Sequence, residues 1–221
     1  MGILNFVKPD KIVLQKATDF EANFEFRPLE PGYGVTIGNA LRRVLLNSLE
    51  GYAIVGINIV GADHEFATIK GVTEDVTELI LNLKQVRIKK KVEHDINVEK
   101  ITLSIKNKTE FTAGMIGEAS PSFEVMNPEL LICTMDTSAK LDIEISIGKG
   151  RGYVPAEDHK DKSSHFGYIP VDAIYTPIKN VRYTIENTRV EQRTDFEKLI
   201  MEVHTDGTIH PEEAVKQASR I

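Results

Sequence analysis

Pro28, Pro31, Gly32 and Gly34 stand directly ahead of the run VTIGNALRRVLLNSLEGY, and this abrupt change of residue type constrains the chain more than any other stretch. Proline and glycine interrupt regular structure, and Thr36 offers a hydroxyl to the unpaired amides of a helix start. The pattern predicts a helix from Ile37 to Leu49, closed by the turn-prone pair Glu50 and Gly51. At roughly 100° per residue, Ile37, Ala40, Leu41, Val44, Leu45 and Ser48 share one face and form the stripe expected to pack on a core. Asn39, Arg42, Arg43 and Leu46 gather opposite, with an aliphatic side chain between two guanidinium groups. Arginine beside an apolar anchor is the composition enriched where binding energy concentrates. The helix is therefore read as touching partners on both sides.

Strand patterns dominate elsewhere. Phe20, Ala22, Phe24 and Phe26 alternate with polar residues, as do Ala53, Val55, Ile57 and Ile59. Leu141, Ile143, Ile145 and Ile147 give the cleanest alternation, and Val181, Tyr183 and Ile185 another. A second helix is predicted over Thr73–Lys84, capped by Thr73 and striped by Val76, Leu79, Ile80 and Leu83. A third starts at Pro211, with Glu212 and Glu213 in its first turn and Ala214, Val215 and Ala218 as its apolar stripe. At about three turns it needs a tertiary partner to persist. The fold class is α+β.

With 221 residues, 41% of them hydrophobic, the chain can fill one large or two modest cores. No apolar run is long enough to span a bilayer, and Met1–Lys8 lacks a signal-peptide layout, so no membrane association and a cytoplasmic location are expected. Cys133 is the only cysteine and sits in the apolar run ELLICTM, which marks a buried packing thiol. A net charge of −6 argues against a surface that grips nucleic acid directly. The basic run Arg87–Lys91 alternates with Val86, Ile88 and Val92 and reads as one solvated strand face.

Constellations that carry chemistry are not found. The six histidines include no pair spaced to share a helical face, which leaves no metal centre. Gly148, Gly150 and Gly152 lack the helix start that a phosphate-cradling loop requires, and read instead as a flexible cationic loop presenting Arg151 and Tyr153 to a partner. Glu74 and Asp75, like Glu212 and Glu213, fit capping and dipole duty at helix starts. His204, Asp206 and Gly207 read as a hairpin-like turn. No aspartate triplet could hold the two magnesium ions of a polymerase centre. Neither catalytic residues nor a cofactor are expected in this chain.

The run PLEPGYGVTIGNALRRVLLNSLEGYA strongly resembles the first block of the N-terminal assembly domain of bacterial RNA polymerase α subunits. The resemblance continues through HEFATIKGVTEDVTELILNLKQV (64–86), GRGYVPA (150–156) and VDAIYTPIKNVRYTIENTRVEQRTDFEKLIMEVHTDGTIHPEEA (171–214). The stretches 93–126 and 156–170 follow no recognised pattern. The resemblance implies a discontinuous dimerisation subdomain, residues 1–50 plus 175–221, interrupted by a strand-rich inserted subdomain, residues 51–174. It also implies that the C-terminal DNA-binding domain of such subunits is absent from this chain.

Roles follow from the resemblance alone. Such subunits homodimerise and then recruit the β and β′ subunits, so this chain would share in nucleotidyl transfer only as a subunit. Ile37, Leu41, Val44, Leu45 and Leu49 are the implied dimer contacts. Arg42, Arg43 and Leu46, with Arg151 and Tyr153, are the implied β contacts, and Lys84 and Val171 the implied β′ contacts. The rival reading is a stand-alone dimeric regulator or scaffold without β affinity.

Overall fold

A computed structural model describes residues 11–92, 97–159, 167–190 and 193–221. In chain order its elements are β1 (Lys11–Ala17), β2 (Glu21–Leu29), α1 (Tyr33–Asn47), β3 (Glu50–Ile59), α2 (Val76–Leu83), β4 (Ile88–Lys90), β5 (Val98–Lys106), β6 (Glu110–Thr112), α3 (Ala113–Ala119), β7 (Phe123–Val125), β8 (Leu131–Thr134), β9 (Lys140–Arg151), β10 (Tyr153–Val154), β11 (Tyr168–Pro170), β12 (Ala173–Ile174), β13 (Ile178–Val190), β14 (Arg193–Thr205) and α4 (Pro211–Arg220). Helices and antiparallel sheets are mixed, so the α+β class holds. Met1–Lys8, the histidines His94 and His165, and parts of the stretches 93–126 and 156–170 lie outside the described residues.

The chain divides into two compact units, one of Met1–Leu49 with Thr176–Ile221 and the other of Glu50–Tyr175. The first is built on a four-stranded sheet of order β1-β2-β14-β13. Alternation along β2 sends Ala22, Phe24 and Phe26 to one face, where Leu199, Met201 and Val203 of β14 join them in one core. Leu45 and Leu49 cover that core, and α4 supplies Ala214, Val215 and Ala218 to it. The tertiary partner that a helix as short as α4 requires is thus this core.

Helix α1 begins four residues earlier than its sequence pattern implies. Gly32 adopts a left-handed conformation, φ 86°, that turns the chain into the helix. Thr36 does not cap; its hydroxyl donates back to the Gly32 carbonyl at 3.2 Å. The cap comes instead from Glu197 on β14, whose carboxylate accepts from Gly32 N–H at 2.8 Å and Gly34 N–H at 2.7 Å. A negative group there also complements the helix dipole. Because the helix starts early, its buried residues are Gly34, Gly38 and Leu45, while Ala40 is exposed. Glycine allows the close approach: a Cβ at Gly38 would lie 2.7 Å from the Tyr183 ring and 3.0 Å from Leu199.

In the second unit the main sheet runs β5-β9-β3-β4-β7, with β11 also pairing on β3. Leu141, Ile143, Ile145 and Ile147 of β9 are all within 1% of complete burial, as their alternation predicts. Strand β3 departs from the expected single face. Its register against β9 slips between Ile54 and Gly56, an irregularity that reverses the side-chain parity. Ala53 and Val55 therefore pack with Ala173 and Tyr175, whereas Ile57 and Ile59 enter the larger core with the β9 residues. Glu50 and Gly51 do not form a turn; they open β3.

Four further expectations are corrected. Helix α2 starts at Val76, with Asp75 as the cap accepting from Glu78 N–H at 2.7 Å; Thr73 instead bonds through its backbone to Thr134 O. Glu74 is not a helix-start residue, since its carboxylate accepts from the backbone and hydroxyl of Thr134. Gly148 and Gly150 belong to β9 rather than to a flexible loop, and added Cβ atoms there would meet Val55 at 2.8 Å and the Tyr175 ring at 2.5 Å. Asp206 and Gly207 connect β14 to α4 and form no hairpin; Asp206 Oδ1 accepts from Thr208 N–H at 2.9 Å in an Asx turn. Cys133 is fully buried, and burial, with the charge of Glu74 second, pushes its thiol up to about 12.

Candidate functional site

On α1 the geometry separates the expected interface residues into three groups. Leu45 and Leu49, 0% and 2% exposed, are consumed by the core of their own unit and offer nothing to a second chain. Ile37, Leu41 and Val44 are half-buried, packing partly on that core and leaving apolar surface along one flank of the helix. Arg42 and Arg43 are exposed and, among the described residues, make no ion pair. Leu46 is not isolated between the guanidinium groups; it is half-buried and packs on the core. Ala40, Arg43, Val44, Leu46, Asn47 and Ser48 together line a shallow depression on the helix surface.

This arrangement follows from where the helix starts. With Gly34 and Gly38 pressed against the sheet, residues about 90° to one side hold the apolar flank, and those pointing away hold the arginines. Two guanidinium groups that no described residue pairs, beside an apolar depression, can donate bidentately to carboxylates of a partner.

In the second unit, Arg151 does not project alone. Its guanidinium donates to Glu50 Oε1 at 2.6 Å, and Lys149 lies 2.9 Å from Glu50 Oε2. Arg151 first, then Lys149, hold the Glu50 carboxyl below the usual carboxylate range. Tyr153 is 57% exposed on β10. Lys84 caps the C-terminal end of α2, where a cation suits the helix dipole. Val171 is 1% exposed, so its side chain is a core group and not a docking surface.

The surface group at that corner is its neighbour, Asp172. Its Oδ2 accepts from Lys84 Nζ at 2.7 Å, and its Oδ1 accepts from Ala156 N–H at 2.8 Å. The Lys84 hydrogen bond is the main reason that its carboxyl sits below the usual range. Nothing in the sequence marks Asp172, because its two partners come from separate segments.

Among the described residues, no group of three His, Cys, Asp or Glu side chains is placed to hold a metal ion. Nor is any described helix long and apolar enough to cross a membrane.

Comparison with known proteins adds two observations. The family model for the RNA polymerase Rpb3/RpoA insert domain matches residues 55–176. The whole chain is 61% identical to the DNA-directed RNA polymerase subunit alpha of Cytophaga hutchinsonii, covering 67% of that protein. It is likewise 56% identical to that of Flavobacterium psychrophilum and 55% identical to that of Bacteroides thetaiotaomicron, at the same coverage of each chain.

Proposed function

This chain belongs to the family of DNA-directed RNA polymerase α subunits, and on that premise we propose that it is a non-catalytic assembly subunit of the enzyme. Two copies associate about a two-fold axis through the half-exposed flank of α1, Ile37, Leu41 and Val44. A two-fold contact is self-complementary, so each copy retains an identical outer face, and the asymmetry of the complex comes from the partners. One copy meets the β subunit through Arg42, Arg43 and the depression beside Leu46, with Arg151 adding a second cationic contact. The other meets β′ through the corner that carries Lys84. The chain works in the cytoplasm, binds no nucleic acid directly, and contributes to nucleotidyl transfer by holding the two large subunits together.

The observation that carries this reading is the division of labour on α1: an apolar flank left half-open beside two arginines that no described residue satisfies. Native mass spectrometry of the chain mixed with β from the same source tests it. A species of two copies plus one β supports the assembly reading. A dimer that ignores β would instead favour a stand-alone scaffold, and a monomer would overturn the use of the α1 flank.

A further inference from the structure

We propose that the Asp206–Gly207 bond is the chain's site of aspartate isomerisation, held unreactive by the hydroxyls of Thr205 and Thr208 while the turn is closed and converted to isoaspartate when it opens. Asp206 is the only aspartate or asparagine in the sequence that is followed by glycine. Glycine presents its amide with no side chain to shield it, which makes this dipeptide the most reactive of its kind. The fold cannot dispense with it, because Gly207 stands at φ 93°, a conformation that residues with a Cβ rarely adopt. The turn thus requires the residue that makes its own bond vulnerable.

The reaction needs two groups to meet. The Gly207 amide nitrogen attacks Cγ of the Asp206 carboxyl, the nitrogen gives up its proton, and water leaves as a five-membered succinimide closes. Water then adds at one of the two ring carbonyls. Opening at the side-chain carbonyl restores aspartate, and opening at the backbone carbonyl leaves the chain running through Cγ as isoaspartate. One water leaves and one returns, so nothing is oxidised or reduced.

In the folded turn both groups are committed elsewhere. Gly207 N–H donates to Thr205 Oγ1 at 3.3 Å. Asp206 Oδ1 accepts from Thr208 N–H at 2.9 Å and from the Thr208 hydroxyl. On the flanks, Thr205 N–H donates to Phe20 O at 2.7 Å and Asp206 N–H to Pro177 O at 3.0 Å, which fixes the backbone around the bond. Thr205 and Asp206 are 2% and 7% exposed, so the water that must open the ring is also kept away. Isomerisation therefore waits on opening, and its rate in the folded chain is the open-turn rate scaled by the fraction of time spent open. Its product lengthens the connection between β14 and α4 by one backbone atom, just before the helix that supplies Ala214, Val215 and Ala218 to its core.

The test incubates the purified chain near neutral pH, folded or in urea, and locates isoaspartate by isoaspartyl methyltransferase labelling followed by peptide mapping. Wild type, Thr208→Val, Thr208→Ser and Thr205→Val are compared, since valine keeps the shape of threonine and removes the hydroxyl. Hydrogen exchange of the β14 amides reports that each variant remains folded. We expect isoaspartate at residue 206 to accumulate at least tenfold faster in urea than in the folded wild type. Thr208→Val should speed the folded chain roughly three- to tenfold, the effect of losing one hydrogen bond that holds the turn closed. Thr208→Ser should return to the wild-type rate, and Thr205→Val should act in the same direction as Thr208→Val. In urea all four chains should react alike, which separates guarding from intrinsic reactivity. Equal rates in folded and unfolded wild type, labelling confined to other residues, or an unchanged folded-state rate in Thr208→Val with β14 still protected would each overturn the proposal.

Discussion

Glu197 caps a helix from 163 residues away: its carboxylate accepts the N–H of Gly34 at 2.7 Å. The period of two along β14 puts Glu197 on the same face as Leu199, Met201 and Val203, the face that α1 covers. Capping and core packing thus fix the same helix to the same strand. Glu197→Ala should cost about 1–2 kcal/mol of unfolding free energy, the range for loss of a good cap. Thr36→Ala, which sequence alone would nominate, should cost less than about 0.5 kcal/mol. Urea unfolding followed by circular dichroism distinguishes them.

At Gly38, two effects of substitution by alanine oppose one another. The helix gains up to about 1 kcal/mol of intrinsic preference. The new Cβ, however, would stand 2.7 Å from the Tyr183 ring, which forces α1 off the sheet. Overpacking of this kind costs about 1–3 kcal/mol, so Gly38→Ala is expected to destabilise on balance and to weaken self-association by displacing the Ile37–Val44 flank. Concentration-dependent sedimentation measures the second effect directly.

Arg43→Ala should separate folding from recruitment. No described residue pairs with this guanidinium, so unfolding free energy should change by no more than about 0.5 kcal/mol. The copy number in native mass spectra should stay at two. Capture of β should weaken by about 2–5 kcal/mol, because the partner's group is left buried and unpaired. Loss of the dimer in this variant would mean that the flank and the arginines are not separate surfaces.

Cys133 supplies a reporter for opening of the inserted unit. The thiol is fully buried and raised to about 12, so a thiol reagent at pH 8 should react only as fast as the unit opens. The linkage has a definite sign. A thiol raised in the fold contributes stability that is complete below its unfolded value, near 8.5, and is lost as pH climbs from there toward 12. Urea midpoints should therefore fall across that alkaline range in the wild type and fall less in Cys133→Ala.

Much of the fold was legible because it is local. Alternation in Leu141–Ile147 and the proline start of α4 needed no knowledge of the rest of the chain, and both elements form where the pattern places them. Two failures are local, the cap of α2 at Asp75 and the Asx turn at Asp206, and the others are long-range. The start of α1 was misplaced because its cap arrives from β14. The glycines of β9 read as a loop because the Val55 and Tyr175 side chains that fill their space lie in other segments. The parity of β3 was hidden in a slip against β9 that no local pattern records. At the candidate site, the exposure of Arg42 and Arg43 followed from helical geometry, whereas Asp172 was invisible because its lysine partner lies 88 residues away in sequence.

Gly51 and Tyr175 meet so closely that a methyl group on the glycine would lie 1.9 Å from the Tyr175 carbonyl oxygen. The second unit therefore begins and ends at one point. A segment whose entrance and exit coincide asks nothing of the reach of the chain on either side, and genetically it behaves as a cassette. Its loops can lengthen and its outer strands can diverge while the doorway stays one glycine wide. Selection on its surface can then act within the cassette and leave the rest of the chain untouched.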